Sequence, residues 1–197
     1  MNSIKFECVT DSIEKYLANH KNMVVAIDGR CGAGKTYLSK HLEDIFECNV
    51  IHIDDFFLPF ELRTEKRMSE VGGNIHTERF LKEVINPLMC NDIVSYRPYI
   101  CKTGEFSDEI SFKPDSLTVI EGTYSCLPDL AEFYDLKIFV DVSDEARKCR
   151  LKKRCDVKEY RNFENIWIPR EEVYFKKCNT RELCDLVIDT SDFDKET

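Results

Sequence analysis

Short apolar runs alternate along this chain with segments whose hydrophobic residues recur every three to four positions. Residues 23–28, Met-Val-Val-Ala-Ile-Asp, are apolar and rich in β-branched side chains, which predicts a buried strand. Residues 50–53, 117–120, 138–142 and 186–189 have the same character. Helical spacing lies between these runs. Residues 10–20 set Ile13, Tyr16 and Leu17 on one face behind a cap at Thr10 or Asp11. Residues 37–46 carry Leu38, Leu42, Ile45 and Phe46 in the same way, and residues 76–89 carry Phe80, Leu81, Val84, Ile85 and Leu88. A further helix is predicted to begin near Ser143, and a last one to cover about 171–184. Residues 60–75 are polar, contain Gly72-Gly73-Asn74 and read as a loop. Residues 93–101 and 109–112 flank Lys102-Thr103-Gly104-Glu105, which predicts a β-hairpin flap over about 93–113.

Strands alternating with helices predict an α/β fold: a five-stranded parallel core sheet with right-handed crossovers. No repeat or linker interrupts the pattern, so residues 1–197 are expected to form a single domain. Ligands of such sheets collect beyond the carboxyl ends of the strands. The residues at those ends are the segment 29–36, Asp54-Asp55, Glu121 and Thr190-Ser191-Asp192.

Composition removes several alternatives. With 43% hydrophobic and 33% charged residues, and only 7 Gly and 6 Pro, the chain is neither collagen-like, low in complexity nor globally disordered. No apolar run approaches the ~20 residues that span a bilayer. The first residues reach Glu7 before any long apolar stretch, which argues against a secretory signal and for a cytoplasmic protein. A net charge of -9 argues against nucleic-acid and membrane partners. The 10 cysteines are scattered without a Cys-x-x-Cys pair and read as small buried hydrophobes in a reducing compartment. Whether the chain forms a homo-oligomer is left open.

The chemistry is concentrated after the first core strand. Gly29-Arg30-Cys31-Gly32-Ala33-Gly34-Lys35-Thr36 fits G-x-x-x-x-G-K-S/T in full, between a predicted strand and a predicted helix. The glycines let the backbone turn several amides into one concavity, and the helix amino terminus adds partial positive charge. Lys35 brings a full charge to the β- and γ-phosphates, and Thr36 offers a hydroxyl to Mg²⁺. This predicts a nucleoside triphosphate, ATP or GTP, bound by residues 29–36 with Tyr37 following. Cys31 has two readings: a small residue tolerated in the loop, or a thiol whose pKa the helix terminus lowers enough for redox control.

Phosphoryl transfer to an alcohol needs a group that orients the hydroxyl and accepts its proton, and ligands for Mg²⁺. Asp54 is the candidate base, with a share in the metal site, and Glu121 is expected near the metal or a substrate hydroxyl. Asp55 is expected to face away and cap the loop. Arg147, Lys148, Arg150, Lys152, Lys153, Arg154, Lys158 and Arg161 form a basic island in an acidic chain. Arg147, Arg150 and Arg154 share one helical face, so the segment at about 147–170 reads as a lid that closes over the triphosphate.

The chain resembles the uridine kinase–phosphoribulokinase family of P-loop kinases, and within it a bacterial uridine kinase-like branch. The resemblance runs over nearly everything after residue 22. It rests on Ala26 through Thr36, Ile53-Asp54-Asp55-Phe56-Phe57, Gly72-Gly73-Asn74 with Glu78-Arg79-Phe80, and Val119-Ile120-Glu121-Gly122. Trp167-Ile168-Pro169 with Glu171, Glu172, Tyr174 and Phe175, and Val187 through Ser191, extend it to the end. It implies a P-loop kinase three-layer sandwich, with hairpin flap and helical lid, that moves the γ-phosphate of ATP or GTP to a hydroxyl of a nucleoside-like molecule. Asp54 matches the family's catalytic Asp, and Arg150 or Arg154 its lid arginines. The hairpin with Tyr96, Arg97 and Tyr99 is where such enzymes commonly hold the acceptor. Asp54, Arg63, His76, Tyr99 and Glu121 are the substrate candidates. Where many relatives place an Asp that meets a ribose hydroxyl, this chain has His76, which points away from uridine itself. A pantothenate-like acid and a nicotinamide riboside-like nucleoside are alternative acceptors. A nucleotide-binding regulator or slow NTPase is the alternative outside the kinases.

Overall fold

Strand β1 (Met23–Gly29), preceded by helix α1 (Glu7–Leu17), is buried along its whole length and forms the middle of the sheet. The computed structural model describes residues 6–193, so residues 1–5 and 194–197 of the expected domain lie outside the described residues. After β1 come α2 (Lys35–Phe46) and β2 (Asn49–His52), then 3-10 turns at Ile53–Phe56 and Phe60–Leu62 and the short α3 (Glu65–Ser69). One helical stretch follows, made of α4 (Thr77–Phe80), a π turn (Leu81–Ile85) and α5 (Asn86–Cys90). The flap holds β3 (Val94–Tyr96), β4 (Tyr99–Ile100), β5 (Glu105–Phe106) and β6 (Ile110–Phe112). The chain continues through β7 (Leu117–Glu121), α6 (Pro128–Ala131), β8 (Leu136–Asp141), α7 (Asp144–Arg154) and α8 (Val157–Asn162). A π turn (Phe163–Trp167), α9 (Ile168–Cys178), α10 (Thr180–Leu183) and β9 (Leu186–Asp189) complete it.

The core sheet is five-stranded, ordered β2-β7-β1-β8-β9, and every pairing in it is parallel. Alternate side chains of its strands enter opposite layers, as the period of a strand requires. Val25 and Ile27 join Val119, Ile138 and Val140 against Leu38 and Leu42 of α2 and Val9 and Ile13 of α1. Val24 and Ala26 join Ile51, Ile120 and Phe139 against Phe80, Val84 and Leu88, and against Tyr174 and Phe175 of α9. Helices therefore cover both faces, the three-layer arrangement expected from the sequence.

Three expectations need correction. The first helix begins at Glu7 instead of Thr10, because Phe6 is buried in the core against Tyr37, His41 and Phe193 and draws the start back. Thr10 then lies inside the helix, its hydroxyl donating to the Glu7 carbonyl. The segment 60–75 is not a plain loop. Thr64 caps α3 by accepting the Arg67 amide, and the Arg67 guanidinium bonds the carbonyls of Gly73 and Ile75 and pairs with Glu78. Polar side chains, not apolar periodicity, order it. The last helix starts at Ile168 and stops at Cys178, where Asn179 turns left-handed (φ 48°) before α10.

The flap is a hairpin in two ladders. β3 pairs with β6 and β4 with β5, broken at Pro98, which has no N–H to donate. The Arg97 guanidinium bridges the break to the carbonyls of Phe106 and Ser107.

Candidate active site

The bend between β1 and α2 holds three glycines at positive φ, Gly29, Gly32 and Gly34, and its two ends show why. Gly29 ends β1 at φ 134°, where a Cβ would collide with the Val140 carbonyl, and Gly34 caps α2 at φ 97°. Both lie where an L side chain is strained. The bend delivers the chain to the amino terminus of α2, whose first amides have no partner within the helix. The Lys35 ammonium is held here, donating to the carbonyls of Gly29 (2.7 Å) and Arg30 (3.1 Å) and to the Thr123 hydroxyl (3.1 Å). Below the bend, buried Asp28 accepts the amides of Gly29 and Cys126 and the Tyr174 hydroxyl.

A cavity of about 440 Å³ opens over the bend. Cys31, Gly32, Gly34, Lys35 and Thr36 line one part of it, with Asp54, Glu121 and Glu171 as its carboxylates and Arg150 and Arg154 from α7. Phe57, Tyr124, Phe163 and Trp167 supply an aromatic wall, and Asn74 a polar carboxamide. The Phe57 and Trp167 rings stand 6.5 Å apart.

Each carboxylate is held differently. The Thr36 hydroxyl donates to Glu121 Oε1 at 3.2 Å, and His52 Nδ1 lies 2.5 Å from the same oxygen. That contact raises the His52 pKa against the opposing effect of burial. Asp54 sits in the 3-10 turn after β2, reached by solvent through the cavity yet closely surrounded by protein. The lost hydration pushes its pKa up to about 6; Lys35 pulls it down, while Glu121 and Asp55 push it further up. Asp55 is not among the residues lining the cavity: its carboxylate accepts the Tyr96 hydroxyl of β3 and its carbonyl accepts Arg79 of α4.

The cavity gathers Cys31, Gly32, Gly34, Lys35, Thr36, Asp54, Glu121, Arg150 and Arg154 from the sequence candidates. Gly29 and Ala33 complete the bend, Ala33 fully buried. The Arg30 side chain leaves the cavity for the Val142 carbonyl, Asp144 and Glu172, and Tyr37 is exposed beside Phe6. Arg63, His76 and Tyr99 are not among the lining residues. Arg63 donates to the Leu58 carbonyl, His76 accepts the Arg79 amide as the cap of α4, and the Tyr99 hydroxyl accepts the Phe60 amide. Of the three arginines on one helical face, Arg150 donates to the Gly32 carbonyl and to Thr190, and Arg154 lies over the Phe163 ring. Arg147 is instead enclosed among Asp144, Glu171 and Glu172.

Of the two readings of Cys31, the structure favours the small residue tolerated in the loop: burial and the adjacent Glu171 carboxylate push its pKa up to about 12. Sequence reasoning gave no role to Phe57, Asn74, Thr123, Tyr124, Trp167 or Glu171. Tyr124, buried at φ 83°, is a strained bulky residue of the kind that marks functional sites, and no composition signal announces it.

Hard oxygen donors surround the Lys35 side of the cavity: the Thr36 hydroxyl and the carboxylates of Glu121 and Asp54. They suit Mg²⁺, which takes few protein ligands and completes its shell with water and phosphate oxygens. Among the described residues no group of three His, Cys, Asp or Glu is gathered as a metal cage.

These elements define the α/β fold of the P-loop kinases. A possible uridine kinase from Bacillus stearothermophilus superposes with a TM-score of 0.66 at 18% identity, over 92% of this chain and 99% of that one. A protein provisionally named a fructose transport system kinase, from Silicibacter sp. TM1040, gives 0.69 at 18% identity over 90% and 97%. Phosphoribulokinase from Rhodobacter spheroides gives 0.58 at 17% identity over 86% and 70%. No protein-family model matches the sequence, and no curated protein does. Among the described residues no helix is long and apolar enough to cross a membrane.

Proposed function

We propose that the protein transfers the γ-phosphate of ATP or GTP, with Mg²⁺, to a hydroxyl of a small nucleoside-like acceptor. The observation that carries this reading is Asp54: a carboxyl with its pKa raised to about 6, in one cavity with Lys35 and Thr36. Such a group is mostly ionised at neutral pH and still basic enough to take a proton as the hydroxyl attacks.

The residues divide the work. The amides of the bend and Lys35 hold the polyphosphate, and Arg150 and Arg154 offset charge on the moving phosphoryl group. Thr36, Glu121 and Asp54 would hold Mg²⁺, which supplies charge neutralisation between the β- and γ-phosphates. The segment at about 147–170, carrying both arginines, acts as the lid, and the hairpin at about 93–113 as a flap. The aromatic wall favours a flat acceptor of the nucleoside type, a nicotinamide riboside-like ring included. A pantothenate-like acid would have to draw Arg154 from Phe163, since Lys35 and Arg150 are already held at the bend.

His76 favours a second reading, a nucleotide-binding regulator or slow NTPase, because it caps α4 instead of facing the cavity. Release of ADP from Mg·ATP, or of GDP from Mg·GTP, measured over a panel of nucleosides and vitamin alcohols separates the two. Stimulation by one class of alcohol supports the kinase. Basal hydrolysis unchanged by every alcohol overturns it in favour of the regulator.

A further inference from the structure

Glu171 has no part in the chemistry just described, yet it reaches into the phosphate-binding bend. It projects from the first turn of α9, is 3% exposed, and lines the same cavity as Lys35 and Thr36. Its two oxygens accept the Cys31 amide at 3.0 and 3.3 Å, and Oε1 also accepts Arg147 Nη1 at 3.1 Å. A buried carboxylate is costly unless it is paired and hydrogen-bonded. Arg147, itself buried, supplies the pair and is shared with Asp144 (2.7 Å) and Glu172 (3.0 Å).

The preceding residue repeats the link. Arg30 donates to Glu172 at 2.7 Å, to Asp144 at 2.5 Å and to the Val142 carbonyl at 2.6 Å. Two consecutive residues of the bend are thus clipped to the starts of α7 and α9. Helix α9 is a firm anchor: Tyr174 bonds buried Asp28, and Phe175 packs edge-on against Phe139. The Cys31 limb is therefore held in place by the protein itself. That limb shares the cavity with Asp54, and a phosphoryl group passing to an acceptor must lie between the bend and Asp54.

We propose that Glu171 is a positioning residue for the terminal phosphate: it fixes the Cys31 limb, while Lys35 and the start of α2 hold the inner phosphates. The inference rests on reading the bend as a triphosphate site and adds a residue to it. The contrary role, a carboxylate that occupies the γ-phosphate's place and competes with it, makes the opposite prediction for affinity.

The test uses the full chain with Mg·ADP and the non-hydrolysable Mg·AMPPNP, in wild type, Glu171→Gln and Glu171→Ala. Calorimetry gives the affinities, and ³¹P NMR of bound AMPPNP reports each phosphate separately. In Glu171→Ala the γ resonance is expected to shift or broaden beyond its wild-type line width while the β resonance stays. ADP affinity should change less than about threefold, since most phosphate contacts remain. Glu171→Gln, which keeps an oxygen for the Cys31 amide, should return the γ resonance toward wild type. If the alanine variant does not fold, Glu171→Met, which fills a similar volume without the charge or the oxygens, takes its place with the same expected outcome. Unchanged γ and β resonances overturn the proposal, as does movement of both with loss of ADP binding. AMPPNP binding about tenfold tighter than in wild type overturns it in favour of competition. Wild-type protein that binds neither nucleotide overturns the triphosphate site as well, which separates that failure from failure of the Glu171 role alone.

Discussion

Replacing Asp54 by Asn removes the proton acceptor of the proposed transfer while nearly preserving its shape. A positioned general base contributes about 10²–10⁴-fold to a rate, or ~2.7–5.5 kcal/mol of barrier. Acceptor-stimulated turnover should fall by that factor. Nucleotide affinity should hold within about threefold, because the phosphate contacts come from the bend and Lys35.

The pH profile gives a second, independent magnitude. Burial and the neighbouring carboxylates place the Asp54 pKa at about 6, and the base must be ionised to act. The kcat/KM measured with both substrates below saturation, which reports the free enzyme, should therefore rise with pH through about 6, with about a tenth of its limiting value at pH 5 and about nine-tenths at pH 7. Coupled ADP-release assays across this range, in wild type and Asp54→Asn, measure both effects. The reasoning is refuted if the variant turns over within threefold of wild type, or if it keeps the same acid limb.

The raised Asp54 pKa also has a sign for stability. Its folded value lies above the ordinary 3.8, so ionisation costs stability as pH rises from about 4 to about 6. Asp54→Asn should melt higher than wild type at pH 7 and no higher near pH 3.5; an equal melting difference at both pH values would contradict this. Tyr174→Phe removes one of three donors to buried Asp28 and should cost about 1–3 kcal/mol, seen as a lowered melting temperature; an unchanged one would show the bond to be idle. With its pKa pushed up to about 12, Cys31 should resist iodoacetamide at pH 8 while exposed Cys8, Cys90 and Cys149 react, as read by peptide mass spectrometry; labelling of Cys31 as fast as theirs would refute its enclosure.

The elements legible in the sequence are those in which one local signal dominates. Strand β1 announces itself by continuous β-branched residues, the bend by its glycines and lysine, and α2 by Leu38 and Leu42 at one-turn spacing. The ends of β2 and β7 are legible too, because an acidic residue follows each apolar run. What stays hidden depends on contacts between distant segments. Helix α3 is ordered by Arg67 reaching Glu78 and the Gly73 and Ile75 carbonyls, none of which leaves a periodic trace. The aromatic wall is assembled from the turn after β2, the loop after β7 and the π turn before α9, so no local pattern joins Phe57, Tyr124 and Trp167. Arg63, His76 and Tyr99 have suitable chemistry for an acceptor, but each satisfies a backbone group nearby instead. Helix-terminus reasoning alone misses the state of the Cys31 thiol because it omits Glu171, which comes from 140 residues further along the chain.

Three carboxylates share the cavity, and their partners assign their duties. Glu121 faces the Thr36 hydroxyl and His52, which suits an oxygen donor held in one orientation beside a metal. Burial raises the Glu171 pKa too, but both of its oxygens are committed to the Cys31 amide and one also to Arg147, so a proton there would break contacts that shape the bend. Asp54 differs from both. Its pKa is governed by burial and by charges, with no hydrogen bond from the described residues among the causes, so it can take a proton without breaking a hydrogen bond to the protein. Groups in one site whose surroundings separate their tasks in this way are how a single cavity performs acid–base chemistry near neutral pH. Among the described residues no side chain or amide hydrogen-bonds the Asp54 carboxylate, which is what favours it over Glu121 and Glu171 as the base of the proposed transfer.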